Sequence, residues 1–268
     1  MSAITTLDIL KKVESGVSLV GSDFSQLDLY AIALVGINLE QVNFSSTTLT
    51  NANLAQANLT GAKLQKADLR GVCLKSANLT EANLEGAYLN RGDLRGANLT
   101  NANLKDAKLN LAVYDSTTVF PAAFAYQSSG AVGPGARLNG AFLNTANLRG
   151  VDLTGAKLIG AYLSGADLTE AILDDTALSG ANLQKAFLTG ASLRNARLSN
   201  VELQGADLRA ADLTGADLSN LVNIAGADFS MVRGLTDSDR ARLIAAHSSQ
   251  EITTWNPYTR CNTLDSLQ

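Results

Sequence analysis

Residues 51–74 read NANLAQANLTGAKLQKADLRGVCL, with Leu at 54, 59, 64, 69 and 74 and a small residue, Ala52, Ala57, Ala62, Ala67 or Val72, two places before each. The beat extends outward in both directions. Every fifth residue from Leu19 to Leu109 is Leu or Phe, and every fifth from Leu138 to Leu218 is Leu, in a different phase. In the second block the residue two places earlier is Ala except at Val151, Thr176 and Val201. Internal repetition of this kind decides the architecture before any other feature. An α-helix turns about 100° per residue, so a period of five would smear the leucines around its surface, and in a plain strand an odd period would throw successive leucines to opposite faces. Each quintet must therefore contain a bend. Three extended residues (small, polar, Leu) followed by two turn-forming residues such as Thr-Gly, Ser-Gly or Arg-Gly make a short side and a corner, with the small residue and Leu pointing inward. Corners turning one way wind the chain into a coil, and successive coils can stack at about 4.8 Å as in a parallel ladder.

The motifs GANLTNANL, GADLTEAIL and QGADLRAADLTGADL resemble the A(N/D)LXX signature of the pentapeptide-repeat proteins. That resemblance implies an all-β solenoid, a right-handed quadrilateral β-helix with four pentapeptides per coil. The repeat count then gives about ten coils, stacked to roughly 50 Å as a rod. Single quintets are too weak to stand alone, because a buried Leu contributes roughly 2 kcal/mol while ordering five residues costs on the order of 5 to 10 kcal/mol. Stacking must supply the difference, and both ends need covers. At one end Ile4, Leu7, Leu10 and Val13 recur at helical spacing behind Thr5 or Thr6 and end near Gly16. At the other, Thr236 with Asp239 three residues on reads as a capping box opening a helix to about His247. The expected organisation is an N-terminal cap helix over 1–16, a first repeat block over 17–124, a loop insertion over 125–135, a second block over 136–231, and a C-terminal helix and tail over 232–268. The first block keeps its phase through Tyr114, Val119 and Phe124, so the loop, AYQSSGAVGPG, is expected to leave a continuous coil, with two separate domains as the alternative. A further slip of one residue falls between Leu218 and Ile224, the mark of a bulge.

Composition narrows function by exclusion. Leu and Ala number 43 and 40 while aromatic residues make up 5%, so the core is built of small aliphatic groups. A net charge of −4 argues against direct nucleic-acid binding. No apolar run approaches the roughly 18 residues of a membrane helix, and the start MSAITTLDILKKVESG lacks a basic segment followed by an apolar one. Two cysteines, Cys73 and Cys261, match no metal spacing or disulfide framework, which fits a cytoplasmic protein. No catalytic, cofactor or metal residues are assigned. His247 is the one histidine, the aspartates are scattered over repeat surfaces, and the Gly130–Gly135 string lacks the Lys-Ser/Thr of a phosphate loop. Outward residues twenty apart should stack, which aligns Asn38, Asn58, Asn78 and Asn98 for an amide ladder and sets Asp174 beside Arg194 as an exposed ion pair.

Some members of the family are thought to resemble DNA and to occupy the DNA site of type II topoisomerases such as gyrase. That role demands dense negative charge, whereas eight acids face eight bases over 17–111 and ten face seven over 136–231. The expected role is a monomeric, non-enzymatic scaffold for an unidentified protein partner, with the DNA mimic as the alternative. The tail carries Trp255, Tyr258 and Arg260, residue types enriched at interface hot spots, as candidate partner contacts. The first expectation for the tail is a cover folded over the last coil, with a partner-binding segment as the alternative.

Overall fold

A computed structural model describes residues 5–268. The chain divides into two compact units, one ending at Val132 and the other beginning at Gly133. In each unit the outward residues pair in parallel across a separation of twenty. In the first unit the four columns start at Asp23↔Asn43, Asp28↔Thr48, Ala33↔Asn53 and Asn38↔Asn58, and in the second at Arg137↔Lys157, Phe142↔Tyr162, Asn147↔Asp167 and Asp152↔Ile172. Four columns mean four sides. A side of three residues is too short for a continuous ladder, so each contributes a single bridge to the coil above and another to the coil below.

One quintet shows how the backbone is satisfied. Asn53 N–H donates to the Ile32 carbonyl of the preceding coil at 2.8 Å, Leu54 N–H to the Cys73 carbonyl of the next at 2.8 Å, and Gln56 N–H to the Lys75 carbonyl at 2.8 Å. The corner closes through Ala57 N–H to the Leu54 carbonyl at 3.1 Å. Only the Ala55 amide, on the outer bend, lacks a backbone acceptor, and the Asn53 side-chain oxygen accepts from it at 3.2 Å. Asn58 serves Thr60 and Asp68 serves Arg70 in the same way. This is the physical meaning of the Asn/Asp in the repeat: a side-chain acceptor two residues before an amide that bends away from both neighbouring coils.

Inside, the leucine rows and most of the alanines before them are buried, with Phe24 and Phe44 in contact at 5.7 Å between ring centroids. Where Thr replaces the small residue its hydroxyl is satisfied locally: Thr47 Oγ1 donates to the Phe24 carbonyl at 2.8 Å and Thr176 Oγ1 to the Leu173 carbonyl at 2.7 Å.

The first unit is covered by α1 (Thr6–Glu14), capped by a reciprocal Thr5–Asp8 box. Its covering face is not the expected one. Ile9 is buried with Thr6, Leu10 and Val13 half-buried beside it, while Leu7 is exposed, and Ile4 lies outside the described residues. Thr6 Oγ1 donates to the Asp28 carbonyl on the rim of the coil at 3.3 Å.

The break in the first block also comes earlier than its phase suggests. Asn98 pairs with Val119, a step of twenty-one, so the extra residue enters before Val119 and turns that side chain outward, 48% exposed. Asp115 and Thr118 repair the slip: the Asp115 carboxylate accepts from Gly96 N–H at 3.1 Å, and Thr118 Oγ1 donates to the Leu94 carbonyl at 3.0 Å. Within 125–135 the chain is only partly a loop. A 3₁₀ turn at Tyr126–Ser128 stacks Tyr126 on Phe120 at 4.6 Å, after which Val132 rejoins the coil against Val113, with Ala131 and Val132 fully buried. In the second unit, Glu202 pairs with Asn223 across twenty-one residues, which places a bulge between Asp217 and Asn223.

Corners need a positive φ at their second turn residue. Gly150 has φ 62° with nothing within 4 Å of where a Cβ would stand, while Ala31 holds φ 54°. Gly150→Ala is expected to lower stability by about 0.5 to 1 kcal/mol through backbone strain alone, and Ala31→Gly to raise it by a similar amount. Urea unfolding midpoints of the two variants check both signs.

Candidate partner-binding surface

The C-terminal segment begins with α2 (Asp237–Ala246), capped by the Thr236–Asp239 box, and continues through α3 (Ser249–Ile252). A two-residue hairpin follows, β1 (Trp255–Asn256) paired antiparallel with β2 (Cys261–Asn262), and the chain ends in α4 (Thr263–Leu267). His247 anchors the join. Its Nδ1 lies 2.9 Å from the Leu243 carbonyl and its Nε2 3.3 Å from the Leu221 carbonyl, so the ring ties the end of α2 to the bulge. Sequence spacing left this histidine without a partner, because backbone carbonyls carry no residue-type signal.

The tail packs over the last coil of the second unit. Buried Asn256 donates Nδ2 to the Gly226 carbonyl at 2.8 Å, buried Thr263 Oγ1 donates to the Ile224 carbonyl at 2.7 Å, and Ser266 Oγ accepts from Phe229 N–H at 3.1 Å. Arg240 of α2 donates to the Leu267 carbonyl at 3.1 Å. Carbonyls that would otherwise face the end of the stack are thereby matched with donors. Trp255, Tyr258 and Arg260 remain outside this layer. Trp255 is 58% and Tyr258 62% exposed, Arg260 is exposed at a corner with φ 57°, and the Tyr258 ring meets Phe187 edge-to-face at 6.2 Å. The hairpin thus brings all three to one end of the unit and gives the tyrosine a fixed neighbour.

Charges on the second unit are arranged by coil. Arg209 grips Asp207 with Nε at 2.9 Å and Nη2 at 2.8 Å. The expected Asp174–Arg194 ion pair does not form. Asp174 instead accepts from the Arg194 backbone N–H at 3.1 Å and from Ser192 Oγ, while the Arg194 guanidinium reaches Asp212 at 2.7 Å. The side chain leans toward the next coil and pairs there with Asp212 Oδ2. The amide ladder forms in part: Asn58 Nδ2 donates to Asn38 Oδ1 at 3.0 Å, whereas Asn78 Nδ2 turns to Thr60 Oγ1 at 3.0 Å. Asn98 accepts from both Thr100 N–H and Oγ1. Cys73 and Cys261 are free and half-buried.

Among the described residues no group of three or more His, Cys, Asp or Glu could hold a metal ion, and no helix is long and apolar enough to cross a membrane. The family model for pentapeptide repeats matches residues 37–75 and 77–113 and, in overlapping copies, 134–232. The chain belongs to the pentapeptide-repeat family. Its fold is therefore the right-handed quadrilateral β-helix of that family. This pentapeptide-repeat protein is similar to HetL of the cyanobacterium Nostoc sp. strain PCC 7120, a protein involved in heterocyst differentiation regulation, at 30% identity over 84% of this chain and 97% of that one, with a TM-score of 0.34. It is similar to Rfr23 of the cyanobacterium Cyanothece 51142 at 29% identity over 43% and 99% of the two chains, TM-score 0.22. Full-length QnrB1, a plasmid-mediated fluoroquinolone resistance protein, matches at 18% identity over 84% and 99%, TM-score 0.22. No curated protein matches the chain.

Asp212 is a carboxylate on which the stability of the second unit depends at low pH. Hydrogen bonds from Thr214, then from Arg194, hold its pKa down to about 2. A folded pKa below the unfolded value of about 3.9 means that its contribution is full above that value and is lost as pH falls toward about 2. The melting temperature is expected to be steady down to about pH 5 and to fall between about pH 4 and 2, with a shallower fall in Asp212→Asn. Thermal melts across that range read the difference.

Proposed function

We propose that this pentapeptide-repeat protein is a non-enzymatic scaffold of about ten coils that holds a protein partner through Trp255, Tyr258 and Arg260. The observation that carries this reading is the division of the tail into two layers. Asn256, Thr263, Ser266 and Leu267 are buried and hydrogen-bonded to the coil or its cap, and between them the hairpin presents two large aromatic rings and a guanidinium to solvent. Side chains held on an ordered hairpin lose less freedom on binding than the same residues on a loose tail, so more of their contact energy survives as affinity. The protein acts as a monomer in the cytoplasm. Two free cysteines, distant in sequence and unpaired, fit a reducing compartment.

DNA mimicry receives no comparable support. A net charge of −4 over 268 residues is far sparser than one negative charge per roughly 1.7 Å of duplex. The test is affinity purification from the native cell with the intact protein and with a Trp255→Ala, Tyr258→Ala, Arg260→Ala triple variant. The variant is expected to melt within a few degrees of the parent and to lose the specific partner at least tenfold. Equal recovery of that partner, or dose-dependent inhibition of gyrase supercoiling by the intact protein, would overturn the reading.

A further inference from the structure

The first unit carries a groove of about 440 Å³ along one corner, lined by Thr50, Asn51, Arg70, Gly71, Asn90 and Arg91. Two guanidinium groups from adjacent coils line it and no carboxylate does. Ion pairs that join neighbouring coils, Lys75–Asp93, Lys105–Glu85, Arg149–Glu170 and Arg194–Asp212, link residues 18 to 21 apart. For Arg91 the positions at that separation are Arg70 to Cys73 on one side and Leu109 to Ala112 on the other, none of them acidic. Arg70 is satisfied within its own coil, its Nε and Nη2 donated to Asp68, which leaves its Nη1 edge available. Among the described residues the side chains of Asn90 and Arg91 have no hydrogen-bond or ion-pair partner.

Gly71 keeps the groove open. It sits at φ +68°, and a Cβ there would stand 2.3 Å from Asn51 Oδ1. A side chain at that corner would collide with the Asn51 amide, which lines the groove. The result is a slot with side-chain donors around it, an unpaired planar fork at one end, and a second guanidinium whose charge is already balanced by Asp68.

We propose that this groove is a binding site for a carboxylate-bearing ligand, which Arg91 takes in the bidentate geometry that a guanidinium offers a carboxylate, with the Asn90 amide and the free edge of Arg70 donating from the flank. The carboxylate comes either from a free dicarboxylic acid or from an acidic side chain of another protein. The site stands whether or not the tail binds a partner.

The experiment titrates the full-length protein with succinate and, separately, with a capped tetraglutamate peptide, following the arginine Nε–H and asparagine side-chain amide signals by NMR. Arg91→Gln is the test variant. Gln already occupies equivalent positive-φ corners at Gln26, Gln41 and Gln56, so the backbone accepts it. Lys105→Gln, which removes an exposed cation paired with Glu85, is the control. Saturable shifts at Arg91 and Asn90, weakened at least tenfold by Arg91→Gln and unchanged by Lys105→Gln, support the site. Tighter binding of succinate assigns a free acid as the source, and tighter binding of the peptide assigns a protein side chain. Linear, unsaturable shifts with both probes, or equal binding by Arg91→Gln, would overturn it.

Discussion

Everything in this protein depends on the hydrogen bond from each inward leucine to a carbonyl in the next coil, as from Leu54 to Cys73 at 2.8 Å. It fixes the twenty-residue register, and the register fixes which side chains meet. Leucine falls over leucine in the interior because the backbone above and below repeats with the same four corners. A quintet in isolation would bury one leucine and close one turn, too little to offset the entropy of ordering five residues. In the stack each quintet also gains two cross-coil bridges and close contact with the rows above and below, so stability is a property of neighbours and not of units.

The same constraint explains what the surface can do. With the interior occupied by backbone-locked aliphatic groups, chemistry is left to the outward residue of each side and to the two corner residues. The outward Asn and Asp are largely consumed in satisfying the corner amide two places on. The exposed hairpin residues of the tail and the groove beside Arg91 are surface features of this kind.

The bend and the coil were legible from residues 51–74 alone, because a period of five admits neither helix nor strand, while the four sides and the hand came from the family resemblance. The capping box of Thr236 with Asp239 is a local pattern and was legible, whereas the start of the first helix was left between Thr5 and Thr6, and the box that Asp8 closes on Thr5 was missed. The misreadings fell where long-range geometry competes with pattern. Val119 kept the apolar beat yet points outward, because Asp115 and Thr118 absorb an extra residue by replacing backbone groups with side-chain ones. Arg194 was aligned with Asp174 by column, but a guanidinium is long enough to choose the next coil. The partner of His247 and the groove beside Arg91 had no sequence signal, since one is a backbone carbonyl and the other arises only when three coils stack. The candidate contacts Trp255, Tyr258 and Arg260 were legible as residue types, and their exposure required the hairpin.

The most direct measurement is of scalar couplings across hydrogen bonds in the deuterated, isotopically labelled protein. Coupling is expected from the Leu54 amide nitrogen to the Cys73 carbonyl carbon and from Asn53 to Ile32, with the same offsets recurring along both units. Within the repeats, couplings to carbonyls four residues earlier, or cross-coil couplings at a separation other than about twenty residues, would contradict the account.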